Sequence, residues 1–142
     1  MRALLVLILL LCSNTLIGQT RYEVTPEKYW ITDSNFDEKI NGTSIFGDDE
    51  HTVVVVEFWA KFNEINCFKE WRQLKNVKYY RINIADAPIA KKKYRVRMAP
   101  TLIIFQEGSK FKMFKAGLDL VLKEDLKTIQ RSIDEANIVS QF

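Results

Sequence analysis

The feature that most constrains this chain is the run Val53-Val54-Val55-Val56-Glu57-Phe58-Trp59. β-branched side chains lose rotamer freedom in a helix and pack well on a pleated surface, so four consecutive valines specify a strand. Successive side chains on a strand point to opposite faces. A run without polar alternation therefore needs cover on both faces, the situation of a central strand with a layer on each side. Glu57 lies inside that run. Its carboxyl enters the core or its border, where desolvation raises a carboxyl pKa. The expected resolution is a neighbouring lysine or a position at the sheet edge.

The flanking sequence predicts the layers. Ser34 to Ile40 reads as a short helix, with Ser34 as N-cap, Asp37 and Glu38 in the first turn, and Phe36 and Ile40 on one face. Phe68, Trp71 and Leu74 recur every third residue and predict a helix after the valine strand, starting near Asn63 to Asn66. Tyr79 to Ile84 reads as a second strand, with Tyr80, Ile82 and Ile84 on one side. Ala87 to Lys93 is a short basic helical stretch, and Thr101 to Gln106 a third strand. Glu107-Gly108-Ser109 turns into a strand from Phe111 to Lys115, which Gly117 closes. Leu122, Leu126, Ile129 and Ile133 mark a C-terminal amphipathic helix. Helices alternate with strands and a hairpin follows, so the fold class is α/β, a mixed central sheet flanked by helices on both faces.

The N-terminus reads as an address. Arg2 precedes an unbroken apolar run of ten residues from Ala3 to Cys12, which Ser13, Asn14 and Thr15 break. That is the layout of a secretory signal, and the run is too short to span a bilayer. The expected organisation is a signal peptide over 1–19 and a single domain over 20–142, exported and periplasmic, with no transmembrane segment in the mature chain. Cys12 follows three leucines, and a lipoprotein cysteine wants a small residue before it, so lipid anchoring through Cys12 is not expected. Removal of the leader leaves Cys67 as the one cysteine, too few for an internal disulfide.

The chain carries 21 Lys+Arg against 18 Asp+Glu, too even a balance to imply a nucleic-acid partner. With two cysteines and one histidine in 142 residues there is no material for a Cys/His metal site, and no metal or cofactor is expected. His51, beside Asp48, Asp49 and Glu50, reads as part of a solvated turn. Asn41-Gly42-Thr43 is a glycosylation sequon, relevant only in a eukaryotic source. Lys91-Lys92-Lys93-Tyr94-Arg95-Val96-Arg97 concentrates five cations and reads as a solvated helix end, with contact to an acidic partner or an anionic membrane surface as the alternative.

The order of elements and several local motifs together resemble the thioredoxin family. Val55-Val56-Glu57-Phe58-Trp59-Ala60 resembles the family's strand into its active-site loop. Asn83-Ile84, Pro88 and Tyr94 resemble the segment after the next strand, and Met98-Ala99-Pro100-Thr101 the loop bearing a cis-proline. Phe105-Gln106-Glu107-Gly108 and Gly117 match the hairpin that follows, and Ser34-Asn35-Phe36-Asp37 the first helix. The resemblance spans roughly residues 24 to 136 and implies the thioredoxin-like fold.

One departure from the family pattern bears on function. The two positions where the family carries Cys-x-x-Cys hold Asn63 and Asn66, in Phe62-Asn63-Glu64-Ile65-Asn66-Cys67. Thiol–disulfide exchange needs an attacking thiolate and a resolving thiol, and asparagine supplies neither. Classical oxidoreductase activity is therefore not expected. The resemblance places Glu57 at the family's buried acid, here without a thiol pair to serve, and Trp59 beside the degenerate loop. The family's cis-proline loop also exposes backbone that pairs with an extended segment, a mode that needs no cysteine. The expectation is a protein- or peptide-binding module, or a subunit of an envelope assembly, with Ala99, Pro100 and Thr101 as the binding loop and Ala99, Pro100, Phe62 and Ile65 forming an apolar surface. The alternative is a single-thiol redox protein: were Cys67 in the first turn of a helix, the dipole, aided by Lys61 and Lys69, would favour its thiolate for mixed disulfides with a partner.

Overall fold

A computed structural model describes residues 24–41 and 53–139. The signal segment with Cys12, the sequon's Gly42 and Thr43, the turn at Gly47 to Glu50, and His51 lie outside the described residues. Strands β1 (Trp30–Ile31), β2 (Val53–Trp59), β3 (Lys78–Asn83), β4 (Thr101–Gln106) and β5 (Ser109–Lys115) form one sheet in the order β1-β3-β2-β4-β5. β1 and β2 run parallel to β3, while β4 is antiparallel to β2 and to β5. The valine strand is thus central, as its lack of alternation requires. Val53 to Phe58 are all buried. Val54, Val56 and Phe58 enter one core cluster, and Val53 and Val55 the other.

On the first face lie α1 (Phe36–Ile40) and α2 (Pro88–Lys93). Phe36 and Ile40 of α1 and Ala90 of α2 pack against Ile82, Ile103 and Phe105, while Tyr80 and Ile84 cover the cluster's edge. Ser34 is not the cap of α1. The N-cap residue is Asn35, which makes no capping bond because its Oδ1 accepts the N–H of Thr32, while the Ser34 and Thr32 hydroxyls bond each other. The start of α2 is capped from a distance, with Asp33 accepting the N–H groups of Ile89 (2.9 Å) and Ala90 (2.8 Å).

On the second face α3 (Leu126–Val139) buries Ile129, Ile133 and Ala136 against Val53, Val55, Leu102, Ile104 and Phe114. The helix begins at Leu126 and not at Leu122. Asp125 stops it there, accepting from the N–H of Thr128 through its side chain and of Ile129 through its carbonyl. Leu122 still packs at the edge of the same cluster from extended chain.

The helix expected after β2 does not form. Two 3-10 turns, Lys61–Asn66 and Trp71–Gln73, stand in its place, with Cys67 extended between them (φ −62°, ψ 159°). The cause is visible at Phe68, whose N–H bonds the Glu57 carboxylate instead of a carbonyl one turn back. The spacing by three is the 3-10 period, and Phe68 and Trp71 use it to reach the core. Trp71 stacks on Tyr79 (4.6 Å edge contact to Tyr29 and 4.9 Å centroid distance to Tyr79), an aromatic column covering the sheet where a helix would lie. Gln130 of α3 steadies the end of this segment, accepting from the Lys75 N–H and donating to the Lys75 carbonyl, and Asn137 donates to the carbonyl of Asn76.

Candidate functional site

The loop after β2 and the loop before β4 meet at the ends of the central strands. The first carries the degenerate motif within the 3-10 turn Lys61–Asn66. Its hinge is Asn63, at 6% exposure, whose Nδ2 donates to the carbonyls of Ala99 (2.7 Å) and Leu120 (2.8 Å). Asn66 Nδ2 in turn donates to Asn63 Oδ1 at 2.8 Å. The paired asparagines are therefore a coupled hydrogen-bond unit that ties three loops together. A thiol at position 63 could make neither carbonyl contact with comparable strength, because S–H is a weak donor.

Ala99 and Pro100 are joined by a cis peptide bond, and Thr101 donates its hydroxyl to the Met98 carbonyl at 2.7 Å. The expected apolar surface is split by the structure. Phe62 and Ile65 are exposed, at 74% and 61%, whereas Ala99, Pro100 and Thr101 are buried. Asn63 occupies the Ala99 carbonyl, and Thr101 is paired within the sheet between Phe58 and Lys115. Exposed apolar surface is supplied instead by Leu118, at 99%, and by Val121, in the turn whose Leu120 carbonyl Asn63 holds. Leu118 carried no signal in the sequence reading; its turn lacks the regular period that draws attention to apolar residues. Glu64 is exposed beside Phe62. Trp59 packs edge-to-face with Trp30 at 5.1 Å.

Glu57 is fully buried and faces the second core cluster's side of the sheet. It pairs with Arg81, not with a lysine or the sheet edge. Arg81 is its register partner on β3 and approaches at 3.2 Å. Tyr79 donates its hydroxyl to Glu57 at 2.8 Å, the Phe68 N–H donates at 3.2 Å, and Arg81 Nε donates to the Tyr79 oxygen at 3.0 Å. Arg81 also donates to Thr25 Oγ1 and to the Phe68 carbonyl. Burial pushes the Glu57 carboxyl up, opposed by Arg81, Tyr79 and the Phe68 amide. Burial is the largest influence on Arg81 and works against its charge, but Glu57 and Tyr79 together outweigh it and keep the guanidinium protonated. Burial and then Glu57 push the Tyr79 hydroxyl well up. Every contact to Glu57 is a donor, so the group acts as an anchored anion. The sequence reading missed Arg81 and Tyr79, although alternation against Tyr80 and Ile82 places them on the face opposite the apolar one.

Cys67 is half-buried and does not lie in a helical first turn; it ends a 3-10 turn. Its thiol is pushed up, first by burial and then by the Glu57 charge, with Arg81 and Lys69 acting the other way. The electrostatic activation expected of a helix N-terminus is absent at this position. Among the described residues no group of acids, histidines and cysteines is arranged to hold a metal ion, and no helix is long and apolar enough to cross a membrane.

The family model Thioredoxin matches residues 27–128. Among solved structures, a mutant thioredoxin from Halobacterium salinarum superposes with a TM-score of 0.56 at 15% identity, covering 76% of this chain and 88% of that one. A thioredoxin from Malassezia sympodialis superposes with a TM-score of 0.54 at 17% identity, covering 84% and 99%. A designed protein matches at a TM-score of 0.56 and 17% identity, covering 75% and 94%. No curated protein sequence matches.

Proposed function

The chain belongs to the thioredoxin family, and from that premise we propose that it is an exported protein- or peptide-binding module, or an envelope-assembly subunit, without dithiol oxidoreductase chemistry. The observation that carries this reading is the Asn63 amide, bonded to the Ala99 and Leu120 carbonyls in the place where a family member carries a sulfur. Exchange through a mixed disulfide requires a thiolate there and a second thiol to resolve it. What replaces the reactive pair is a brace that ties the loop carrying exposed Phe62 and Ile65 to the turn carrying exposed Leu118. Exposed aromatic and aliphatic side chains grouped around a braced loop are the ingredients of a contact surface. The Arg2 to Cys12 leader supports export, and the periplasm is the compartment proposed.

The test is affinity purification of the tagged chain, expressed with its own leader, from its native envelope. Eluates of wild type, Phe62→Asp/Ile65→Asp and Cys67→Ser are compared on reducing and non-reducing gels. The binding-module reading expects one stoichiometric partner in wild type and Cys67→Ser, with or without reductant, and its loss in the double aspartate variant. A partner band that needs oxidising conditions and Cys67 overturns it in favour of single-thiol redox chemistry. Turnover of a disulfide substrate by the wild type, supplied with reductant, also overturns it.

A further inference from the structure

Beside the cis-proline loop lies a cleft of ≈ 500 Å³. Met98, Met113 and Leu118 supply apolar walls, and Arg95, Arg97 and Lys115 stand on its rim. All three cations are exposed, none of them forms an ion pair among the described residues, and no carboxylate lines the cleft there. Three like charges around one depression repel each other, and an anionic occupant relieves that repulsion. The apolar walls ask for more than a small anion, because methionine and leucine side chains gain by covering apolar groups.

The backbone at Arg95 supplies a second, independent observation. α2 ends in a Schellman motif, with the Val96 N–H bonded to the Lys91 carbonyl and the Arg95 N–H to the Lys92 carbonyl. Arg95, the first residue past the helix cap, takes a left-handed conformation with φ 55°. Glycine is the residue that occupies this position without strain. A bulky cation here is a local cost to stability at the mouth of the cleft.

We propose that this cleft selects an extended acidic protein segment that carries an apolar side chain, with Arg95, Arg97 and Lys115 reading its carboxylates and the Met98–Met113–Leu118 surface taking its apolar group. The proposal rests on the binding-module reading and names the chemistry of its partner. Leu118 lines the cleft and lies in the turn that Asn63 ties to the loop of Phe62 and Ile65.

The experiment uses a labelled ten-residue peptide with four carboxylates around a central leucine, and a counterpart in which amides replace the carboxylates. The acidic peptide is expected to bind at least tenfold more tightly at low salt, with the advantage shrinking as salt rises. Arg97→Glu and Lys115→Glu are expected to erase the preference, whereas Lys28→Glu, outside the cleft, leaves it intact. Arg95→Gly is the sharpest variant. It is expected to raise Tm by a few degrees by relieving the left-handed residue, and to weaken the acidic peptide several-fold. A purely structural Arg95 would not move stability and affinity in opposite directions.

Equal binding of the two peptides overturns the charge selection and leaves the binding module standing. No binding of either peptide, with a partner still captured from the envelope, overturns this assignment alone. Sedimentation with phosphatidylglycerol vesicles and no peptide preference overturns it in favour of a lipid surface. Loss of both peptide binding and partner capture removes the broader reading as well.

Discussion

The two faces of the sheet solve the same covering problem differently. The first face does it with regular elements: α1 and α2 bring Phe36, Ile40 and Ala90 onto an aliphatic and aromatic cluster. On the second face, α3 covers one half, and the other half has no helix after β2. There an aromatic column of Tyr29, Trp71 and Tyr79 lies beside a buried carboxylate–guanidinium pair. The difference shows that a fold can keep its sheet and lose a helix if other groups exclude water from the same area. Glu57 is a structural hub on this face: it takes the Phe68 N–H and so shapes the loop that follows.

The largest effect that would break this comparison is at the ion pair. Arg81→Met strands the Glu57 carboxylate and is expected to lower unfolding free energy by roughly 3–5 kcal/mol, read from urea titration. Glu57→Leu combined with Arg81→Met should recover most of that loss. If Arg81→Met alone is nearly neutral, the second face is not held by the network.

Trp71→Ala tests the aromatic column and is expected to cost about 3 kcal/mol, close to Phe36→Ala on the opposite face. A much smaller loss at Trp71 would mean that α3 alone supports the second face. Next comes the brace. Asn63→Ala leaves the Ala99 and Leu120 carbonyls unpaired and is expected to cost about 1–3 kcal/mol, with faster amide exchange in the 117–121 turn.

The smallest effect concerns Cys67. Its raised pKa means that the unfolded thiol ionises first, so the folded state loses stability as pH climbs past the ordinary thiol value towards the folded one. Alkylation by iodoacetamide should be slower at neutral pH than for an unstructured thiol, with a rate midpoint at higher pH. A midpoint below the ordinary value would restore the reactive-thiol reading.

Much of this architecture was legible in the residues. The valine run located the central strand because both-sided burial leaves a local signature. Gly108 located the hairpin because glycine adopts the positive φ of a tight turn without strain, and it takes φ 78° there. Illegible parts depended on partners distant in the chain. Phe68, Trp71 and Leu74 read as a helix since spacing alone cannot reveal that Glu57, eleven positions earlier, claims the Phe68 amide. Asn63 read only as a missing cysteine, because its acceptors at Ala99 and Leu120 lie 36 and 57 positions away. Leu122 read as helical because its spacing suits the helix, while Asp125 sets the true start.

The clasp between Gln130 and Lys75 has a consequence in time. Lys75 and Asn76 are held by side chains 55 and 61 positions further on. During synthesis the central strands and the 61–77 segment leave the ribosome well before α3 does. Lys75 and Asn76 therefore lack these partners until α3 emerges, and a helix made later sets the shape of the end of a loop made well before it.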